Sequence, residues 1–520
     1  MTSKLICRNP GTGSVIRELD TTPLEALPGV FEAARKAQIL WAQRSVKDRA
    51  STLLDIRETM INEADALVEM LVTENGKPRV EALCNEVYSC VDLLSFFASR
   101  APKILRDRRI PLRLMRHRKS TLNYWPLGVV LVISPWNYPL LLPFGEIVMA
   151  LVAGNAVVFK PSEITPLIGL KIQDLLDRSG VPTGLLQTIL GDGSLGAAAI
   201  RERPAKIFFT GSVATGKKIM AAASEHLIPV NLELGGKDPM IILPDANLDF
   251  ASSAALWGSF SNSGQVCAST ERIIVHESIR DPFLVLLKEK MGRLRQGVPS
   301  LSEENTDLGA ITMDKQKDTY TTQLDEARSR GAEVFGGEFS QDRRFLSPTL
   351  VSGPGVDKLS VYNEETFGPV ATVTTFKTTQ EAIDQANSTR YGLLASVIGR
   401  NVSLAEKIAR QIAAGSVLIN EVTYTAALSE TPWGGLKDSG IGRTHSAQGL
   451  LEFVNTRHIH KPRAGFTFFK APWWFPYSTY QYATFRVFLE VYRRSWLARL
   501  KALPLVAWNF VQMIKNERRL

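Results

Sequence analysis

Cysteine is scarce in this chain. Its 520 residues hold four, Cys7, Cys84, Cys90 and Cys267, spaced for neither a disulfide framework nor a CxxC metal pair. A reducing compartment is expected, and no structural metal. Long apolar runs are missing too. No stretch of about eighteen or more uncharged apolar residues occurs, which excludes a membrane-spanning helix. The opening MTSKLICRNPGTGS lacks the apolar centre of a secretory signal, so a cytoplasmic protein is expected. There is no internal repeat and no low-complexity tract. Acids are nearly absent from one region. Between Lys461 and Leu520, eleven Lys and Arg face only Glu490 and Glu517, while the other 460 residues carry fifty bases and fifty acids. The net charge of +9 therefore sits in the tail, which argues against a body that binds nucleic acid.

With 45% hydrophobic and 22% charged residues the chain is globular, with room for several domains. PLEALPGVFEAARKAQILWAQRS and DRASTLLDIRETMINEADALVEMLVTE, within the first hundred residues, place apolar positions three and four apart, the period of a helix. Val129–Ile133 is a continuous apolar run ending at Ser134–Pro135, the signature of a buried parallel strand delivering a loop to a site. GNAVVFKPSE, LLQTILGDG and AKIFFTGS repeat that form with helical stretches between them, predicting a doubly wound α/β domain. From about Pro239 a second α/β unit follows, through PMIIL, ERIIVH, ATVTTF, ASVIGR and GSVLIN. Residues 108–125, basic and roughly alternating, read as a projecting β-hairpin suited to subunit contact, or as a solvated loop.

Cys267 lies in SNSGQVCAST among small and polar residues, and Glu233 closes a strand-like run before Gly235–Gly236. Alone, the first reads as a buried small hydrophobe and the second as a solvated carboxylate. In one cleft, a thiol and a carboxylate suit nucleophilic attack followed by base-assisted hydrolysis. Phosphate binding has two candidates. GDGSLG (191–196) fits G-x-G-x-x-G after a strand and before a helix. In FFTGSVATGKKIM (208–220) a strand ends at Thr210–Gly211–Ser212 and a helix opens with free N–H groups.

PWNYP, KPSE, FTGS, LELGGKDP, GQVCAST, EETFGPV and PWGGLKDSGIGR occur in this order. With them the chain resembles the NAD(P)-dependent aldehyde dehydrogenase superfamily, over about residues 1–460. The resemblance implies two Rossmann-like α/β domains, a projecting β-hairpin for oligomerisation and, beyond the family pattern, a C-terminal helical tail. It implies a cofactor domain at 1–107 and 126–238, a catalytic domain at 239–430, bridging elements at 108–125 and 431–464, and an extension at 465–520. It makes Cys267 the nucleophile, Glu233 the base that activates water and Asn137 an oxyanion donor beside the Cys267 backbone N–H. The cofactor contacts it implies are Ile133, Ser134, Pro135, Trp136, Lys160, Ser162, Glu163, Gly193, Phe209, Thr210, Gly211, Ser212, Thr215, Leu234, Gly235, Glu365 and Phe367. The pyrophosphate falls at the helix after FTGS, which makes GDGSLG a decoy, although Gly193 stays a candidate lining residue. Glu163, placed to accept from both ribose hydroxyls, favours NAD over NADP, and the general-base Glu favours hydrolysis to a free acid over transfer to coenzyme A. A homodimer or tetramer is implied. PWGG in place of PFGG and Thr444 in place of a frequent Glu are the departures.

The tail carries fifteen aromatic residues among its last sixty. Tyr482, Phe485, Leu489, Tyr492, Trp496, Leu500 and Leu503 recur at helical spacing, with Arg486, Arg493, Arg494 and Arg499 mainly between them. That composition predicts a helix lying in a membrane surface, with docking on the protein's own body or a sister subunit as the alternative. A medium- or long-chain aliphatic aldehyde is the expected substrate. A soluble dehydrogenase for succinate semialdehyde is the nearest alternative, and a non-catalytic membrane-associated scaffold the alternative of another class.

Overall fold

The structure, a computed structural model, describes residues 4–465, 467, 471, 473–475 and 477–517, without the side chains of Ala426, Phe510, Met513, Ile514, Asn516 and Glu517. Two compact units divide the chain: Met1–Arg106 with Tyr124–Arg457, and Asp107–Asn123 with His458–Leu520.

The first unit holds two large sheets, besides an antiparallel pair, Lys4–Arg8 with Val15–Asp20. Strands β1 (Val129–Ile133), β2 (Ala156–Lys160), β3 (Leu186–Thr188), β4 (Lys206–Thr210) and β5 (Val230–Glu233) are parallel. Every residue of β1 and β2 is buried, as the unbroken apolar runs require of strands covered on both faces. The second sheet contains β6 (Asp238–Ile242), β7 (Thr270–His276), β8 (Glu333–Phe335), β9 (Thr349–Ser352), β10 (Val370–Phe376), β11 (Leu394–Ile398) and β12 (Ser416–Ile419). Its order is β8-β9-β10-β7-β6-β11-β12, antiparallel only at β8. A final strand, β13 (Gly440–Ile441), leaves this region and pairs antiparallel with β5, completing the first sheet as β13-β5-β4-β1-β2-β3. The segment expected to bridge, 431–464, thus returns in part to the cofactor-side sheet, with Gly440 opposite Glu233.

Two consequences of this topology position a site. The chain runs from β1 outward to β2 and β3, then comes back to lay β4 on the other side of β1. The carboxyl ends of β1 and β4 therefore flank a switch-point crevice, the place where open α/β sheets bind ligands. Second, β5 ends at Glu233 and β6 begins at Asp238, so the carboxyl end of one sheet meets the amino end of the other. The segment before β7, which carries Cys267, enters at that same junction.

Strands Arg108–Ile110 and Arg118–Pro126 form the expected hairpin, and Val454–Pro462 adds a third strand beside it. The tail contributes two helices, Thr479–Glu490 and Trp496–Glu517. The single apolar face predicted from Tyr482 to Leu503 is broken between them, where Glu490 takes ion pairs from Arg486 and Arg493. Ser478 caps the first helix through a reciprocal pair with Gln481. Within the second unit, Arg113 of the hairpin lies over the Tyr492 ring at 5.3 Å. Seventeen Lys and Arg face three acids here. The unit is therefore +14 and the rest of the chain −5, where interval counting had left the body neutral. Among the described residues no helix is long and apolar enough to cross a membrane. Phe466, Phe468 and Phe469 lie outside the described residues.

Candidate active site

Cys267 sits in a loop whose backbone is forced. Asn262 and Ser263 adopt φ of 49° and 56°, and Gly264 follows at 70°. A Cβ on Gly264 would lie 2.0 Å from the Gly368 carbonyl, so no other residue fits there. Three buried partners hold this strained turn. Glu81 accepts the Asn262 N–H at 2.9 Å, Gln265 bonds the Ala310 carbonyl at 3.2 Å, and Thr312 N–H bonds Gln265 Oε1 at 2.9 Å. Opposite the loop, Gly236 brings its backbone so close that a Cβ would stand 2.4 Å from the Cys267 carbonyl.

Asn137 is fixed from behind. Its carbonyl accepts from Lys77 Nζ at 2.9 Å and from Asn262 Nδ2 at 3.1 Å. Its own Nδ2 donates to the Gln265 carbonyl at 3.0 Å, which leaves the second N–H of that amide for another acceptor. Lys77 forms a fully buried ion pair with Glu86, and lies 4.0 Å from the Tyr138 ring centroid. Glu86 in turn accepts the backbone N–H of Leu140 and Leu141 at 2.8 and 3.1 Å, capping helix Leu141–Ala153. This Lys77–Glu86 support escaped the sequence reading. Its one signal is ENGKP, a polar run at a helix end.

Beside Cys267 a cleft of about 140 Å³ is lined by nine of the predicted cofactor contacts: Pro135, Trp136, Thr210, Gly211, Ser212, Leu234, Gly235, Glu365 and Phe367. Leu142, Met313 and Gln316 line it too and were missed. Trp136 meets the edge of Phe367 at 5.4 Å. The EETFG turn is held by Glu271, which accepts from Thr366 and Phe367 N–H at 2.9 and 2.8 Å and pairs with buried Lys237. The remaining predicted contacts lie beyond this lining. Ile133 and Ser134 end β1, and Phe209 is buried in β4. Lys160 ends β2 and pairs with Glu163 at 3.2 Å, while Ser162 Oγ accepts the Ile164 N–H between them. Ser212 caps helix Val213–Ser224 by accepting from Thr215 N–H at 3.3 Å. Gly193 opens the helix after β3, an edge strand of the sheet. GDGSLG is therefore off the switch point, and Gly196 instead packs beside Lys160. A nicotinamide dinucleotide fits these residues. The cleft lies at the crevice, a helix N-terminus opens beside it, and Ser134 Oγ is buried there without a partner.

On the other side of Cys267 opens a funnel of about 470 Å³, a size that buries most of a small organic ligand. Its walls are largely aromatic and aliphatic: Tyr88, Tyr138, Leu141, Leu142, Trp257, Val266, Tyr424, Leu428 and Trp433. A stretch of π-helix, Ala82–Tyr88, turns Cys84, Asn85 and Tyr88 toward it. Asp92 and Glu430 are its charged lining residues, and among the described residues no Lys or Arg lines it.

Burial dominates the electrostatics. It pushes the Cys267 thiol up, helped by the carboxylates of Asp238, Glu365 and Glu233. It also holds Glu233 well above the usual carboxylate range, with Glu146 adding to the rise and Arg443 opposing it. Both Glu233 oxygens are buried without a protein partner. Glu365 is pushed up to about 8, by burial first and then by Glu271. An acid so raised, without a protein partner and lining two cavities with a thiol, is poised for proton transfer rather than for structure.

The family model for the aldehyde dehydrogenase family matches residues 2–459. A 4,4'-diapolycopene aldehyde oxidase of Methylomonas sp is 39% identical over 463 residues, covering 88% of this chain and 85% of that protein. A Mycolicibacterium smegmatis protein provisionally named succinate-semialdehyde dehydrogenase (NADP+) is 37% identical over 455 residues, with 86% and 87% covered. Among solved structures, betaine aldehyde dehydrogenase from Staphylococcus aureus in complex with NAD+ matches with a TM-score of 0.85 at 32% identity, over 91% of this chain and 94% of that one.

Proposed function

The chain belongs to the aldehyde dehydrogenase family, and from that premise we propose that it oxidises neutral, apolar aldehydes of medium or long chain to the free acid with NAD. The observation that carries this reading is the funnel. It leads to Cys267 between aromatic walls and, among the described residues, offers no cation to a carboxylate-bearing substrate. A succinate semialdehyde site would need a Lys or Arg there to pair the second carboxylate.

Cys267 reacts as the thiolate, its proton having passed to water; Sγ attacks the aldehyde carbon, and the C–S bond forms as the carbonyl π pair moves to oxygen. The free Asn137 Nδ2 hydrogen and the Cys267 backbone N–H hold that oxyanion. NAD, held by the cleft residues around Trp136, Ser212, Gly235 and Glu365, supplies the hydride acceptor. The carbon that has lost hydride is a thioester on Cys267. Glu233 then takes a proton from water, whose oxygen adds to the thioester carbon; the C–S bond breaks and the acid departs. Glu163 beside Lys160 places a negative charge where a 2′-phosphate would go, which supports NAD over NADP. A panel of decanal, succinate semialdehyde and betaine aldehyde, each with NAD and NADP, tests the assignment. Decanal with NAD is expected to give the highest kcat/KM. A preference for succinate semialdehyde would sink the apolar assignment.

The same proposal gives the second unit a role at a lipid surface. Trp474, Phe475, Tyr477, Tyr482, Trp496 and Trp508 are each more than half exposed, on a unit of charge +14. Anionic lipid attracts about 1 kcal/mol per base near its surface, and Trp and Tyr are suited to the headgroup level. Cosedimentation with vesicles containing phosphatidylserine is expected for the whole protein at low salt and lost without residues 465–520. Full-length protein that stays in the supernatant would refute the lipid role. Assembly as a dimer or tetramer belongs to this reading as well, supported by the unpaired edges of the three-stranded sheet.

A further inference from the structure

A third, smaller cavity adjoins Glu233 and shares Leu142 and Cys267 with both funnel and cleft. It measures about 20 Å³, and Glu146, Glu233, Cys267, Thr444 and His445 are among its lining residues. That volume suits a single water. Glu146 reaches it from helix Leu141–Ala153, a helix otherwise apolar and buried along nearly its whole length. The Thr444 hydroxyl hydrogen-bonds the Glu146 carboxylate. Glu146 Oε2, both oxygens of Glu233 and His445 Nδ1 are all buried without a protein partner. Four unengaged polar atoms around one water-sized space are not what a core that merely tolerates a buried acid provides.

The backbone is bent to keep them there. His445 and Ser446 hold φ of 58° and 56°, positions that β-carbon-bearing residues avoid. The His445 ring packs against Gly145, where a Cβ would come within 3.6 Å of Nε2. Trp433 and Thr444 exchange backbone hydrogen bonds at 2.9 and 2.8 Å, fixing the segment from the funnel side. Glu146 also feels the charges of Lys206 and Glu452. Those two form an ion pair in which the Glu452 side chain is 35% exposed, so this chain of groups reaches solvent.

We propose that Glu146, with a water held between Thr444 and His445, is the exit for the proton that Glu233 takes during hydrolysis. The inference rests on Glu233 being the base. With an acyl chain in the funnel and the cofactor in the cleft, both other openings are occupied, and only the third cavity remains. The transfer balances. Glu233 gains the water proton as the C–O bond forms and the C–S bond breaks; Glu146 carboxylate accepts that proton through the bridging water, and releases it toward Glu452. Glu146 is a positioning and relay residue, since it touches neither substrate nor cofactor. The charged and titratable groups around it are Glu233, His445, Arg443, Lys206 and Glu452. Burial pushes Glu146 up to about 7 and His445 down to about 4, so a neutral imidazole faces a carboxyl group that can take and lose a proton near neutrality.

Rapid-mixing NADH kinetics with decanal on Glu146→Gln and Glu233→Gln test this. For Glu146→Gln the first-turnover burst should keep its full amplitude, while the steady-state rate falls about 10- to 100-fold. The acid limb of its pH profile should also move to lower pH, because Glu233 loses the neighbouring charge that raises it. A merely structural loss would lower the plateau without moving the limb, and that result overturns the proposal. So does a wild-type rate with an unmoved limb. Glu233→Gln should stall after the burst; turnover at the wild-type rate there would remove the base itself, a failure separate from that of the relay. Should Glu146→Gln fail to fold, Thr444→Val takes its place, with the burst kept and a smaller fall in the steady-state rate. A wild-type steady-state rate in folded Thr444→Val overturns the relay equally.

Discussion

Cys267→Ala is expected to form no NADH from any aldehyde, a fall of at least about 10⁴-fold in kcat, while the Kd for NAD stays within about twofold. The argument is positional. Cys84 also lines the funnel and is the more exposed thiol, so exposure alone would choose it as nucleophile. Cys84 shares no described cavity with Glu233 or Asn137. Cys267 lines all three cavities, shares two of them with Glu233, and stands two residues after the Gln265 carbonyl that takes the Asn137 amide. Cys84→Ala should accordingly keep wild-type kinetics. The substitution at 267 removes one sulfur and leaves the supports of the strained loop, Glu81, Gln265 and Thr312, in place. Lost activity with unchanged cofactor affinity, read by quenching of Trp136 fluorescence, separates lost chemistry from lost structure. Turnover within tenfold of wild type in Cys267→Ala would refute the nucleophile.

The raised thiol of Cys267 sharpens that expectation. Near-neutral attack needs thiolate, and burial and nearby carboxylates disfavour it. The same burial raises Glu233, so ionising both groups at once is disfavoured. Filling the cleft with a ligand carrying a positive ring offsets the first effect, which gives a physical reason for cofactor to bind before aldehyde.

The parts of the site that follow from local pattern were legible in the sequence. Val129–Ile133, Ala156–Lys160 and Lys206–Thr210 are strands because apolar runs buried on both faces have no other way to lie in a parallel sheet. Glu233 and Cys267 were legible through the motifs that flank them. The supports were not. Lys77, Glu86, Glu271 and Glu146 are charges on apparently solvated faces, and each is paired or placed by a contact whose partner is distant in sequence or lies in another element. Charge counted by sequence interval misled as well. The six bases of the hairpin were cancelled on paper by acids of the body, yet they fold with the tail. The tail's single predicted helix face failed at residues 491–495, where Glu490 closes ion pairs in both directions along the chain and the helix turns off.

Glu233→Gln is expected to release one NADH per active site and then stall, with steady-state turnover reduced by about 10² to 10⁴. Gln is nearly isosteric, and the two Glu233 oxygens have no protein partner to lose, so the scaffold and the first half-reaction should stand. What is lost is the step that needs a base. The stalled species is the acyl chain bound to Cys267 as a thioester, visible as a mass increment on the intact protein and discharged by hydroxylamine, which needs no proton acceptor. The pH dependence gives an independent check with a fixed sign. Glu233 is an acid whose folded-state pKa is raised; it is protonated and idle below that value and active above it. Wild-type turnover should therefore climb as pH rises through the raised Glu233 value and be lost as pH falls, and Glu233→Gln should flatten the climb. A burst of less than one equivalent with an unchanged pH profile would assign Glu233 to the first half-reaction and leave the hydrolytic water to another base.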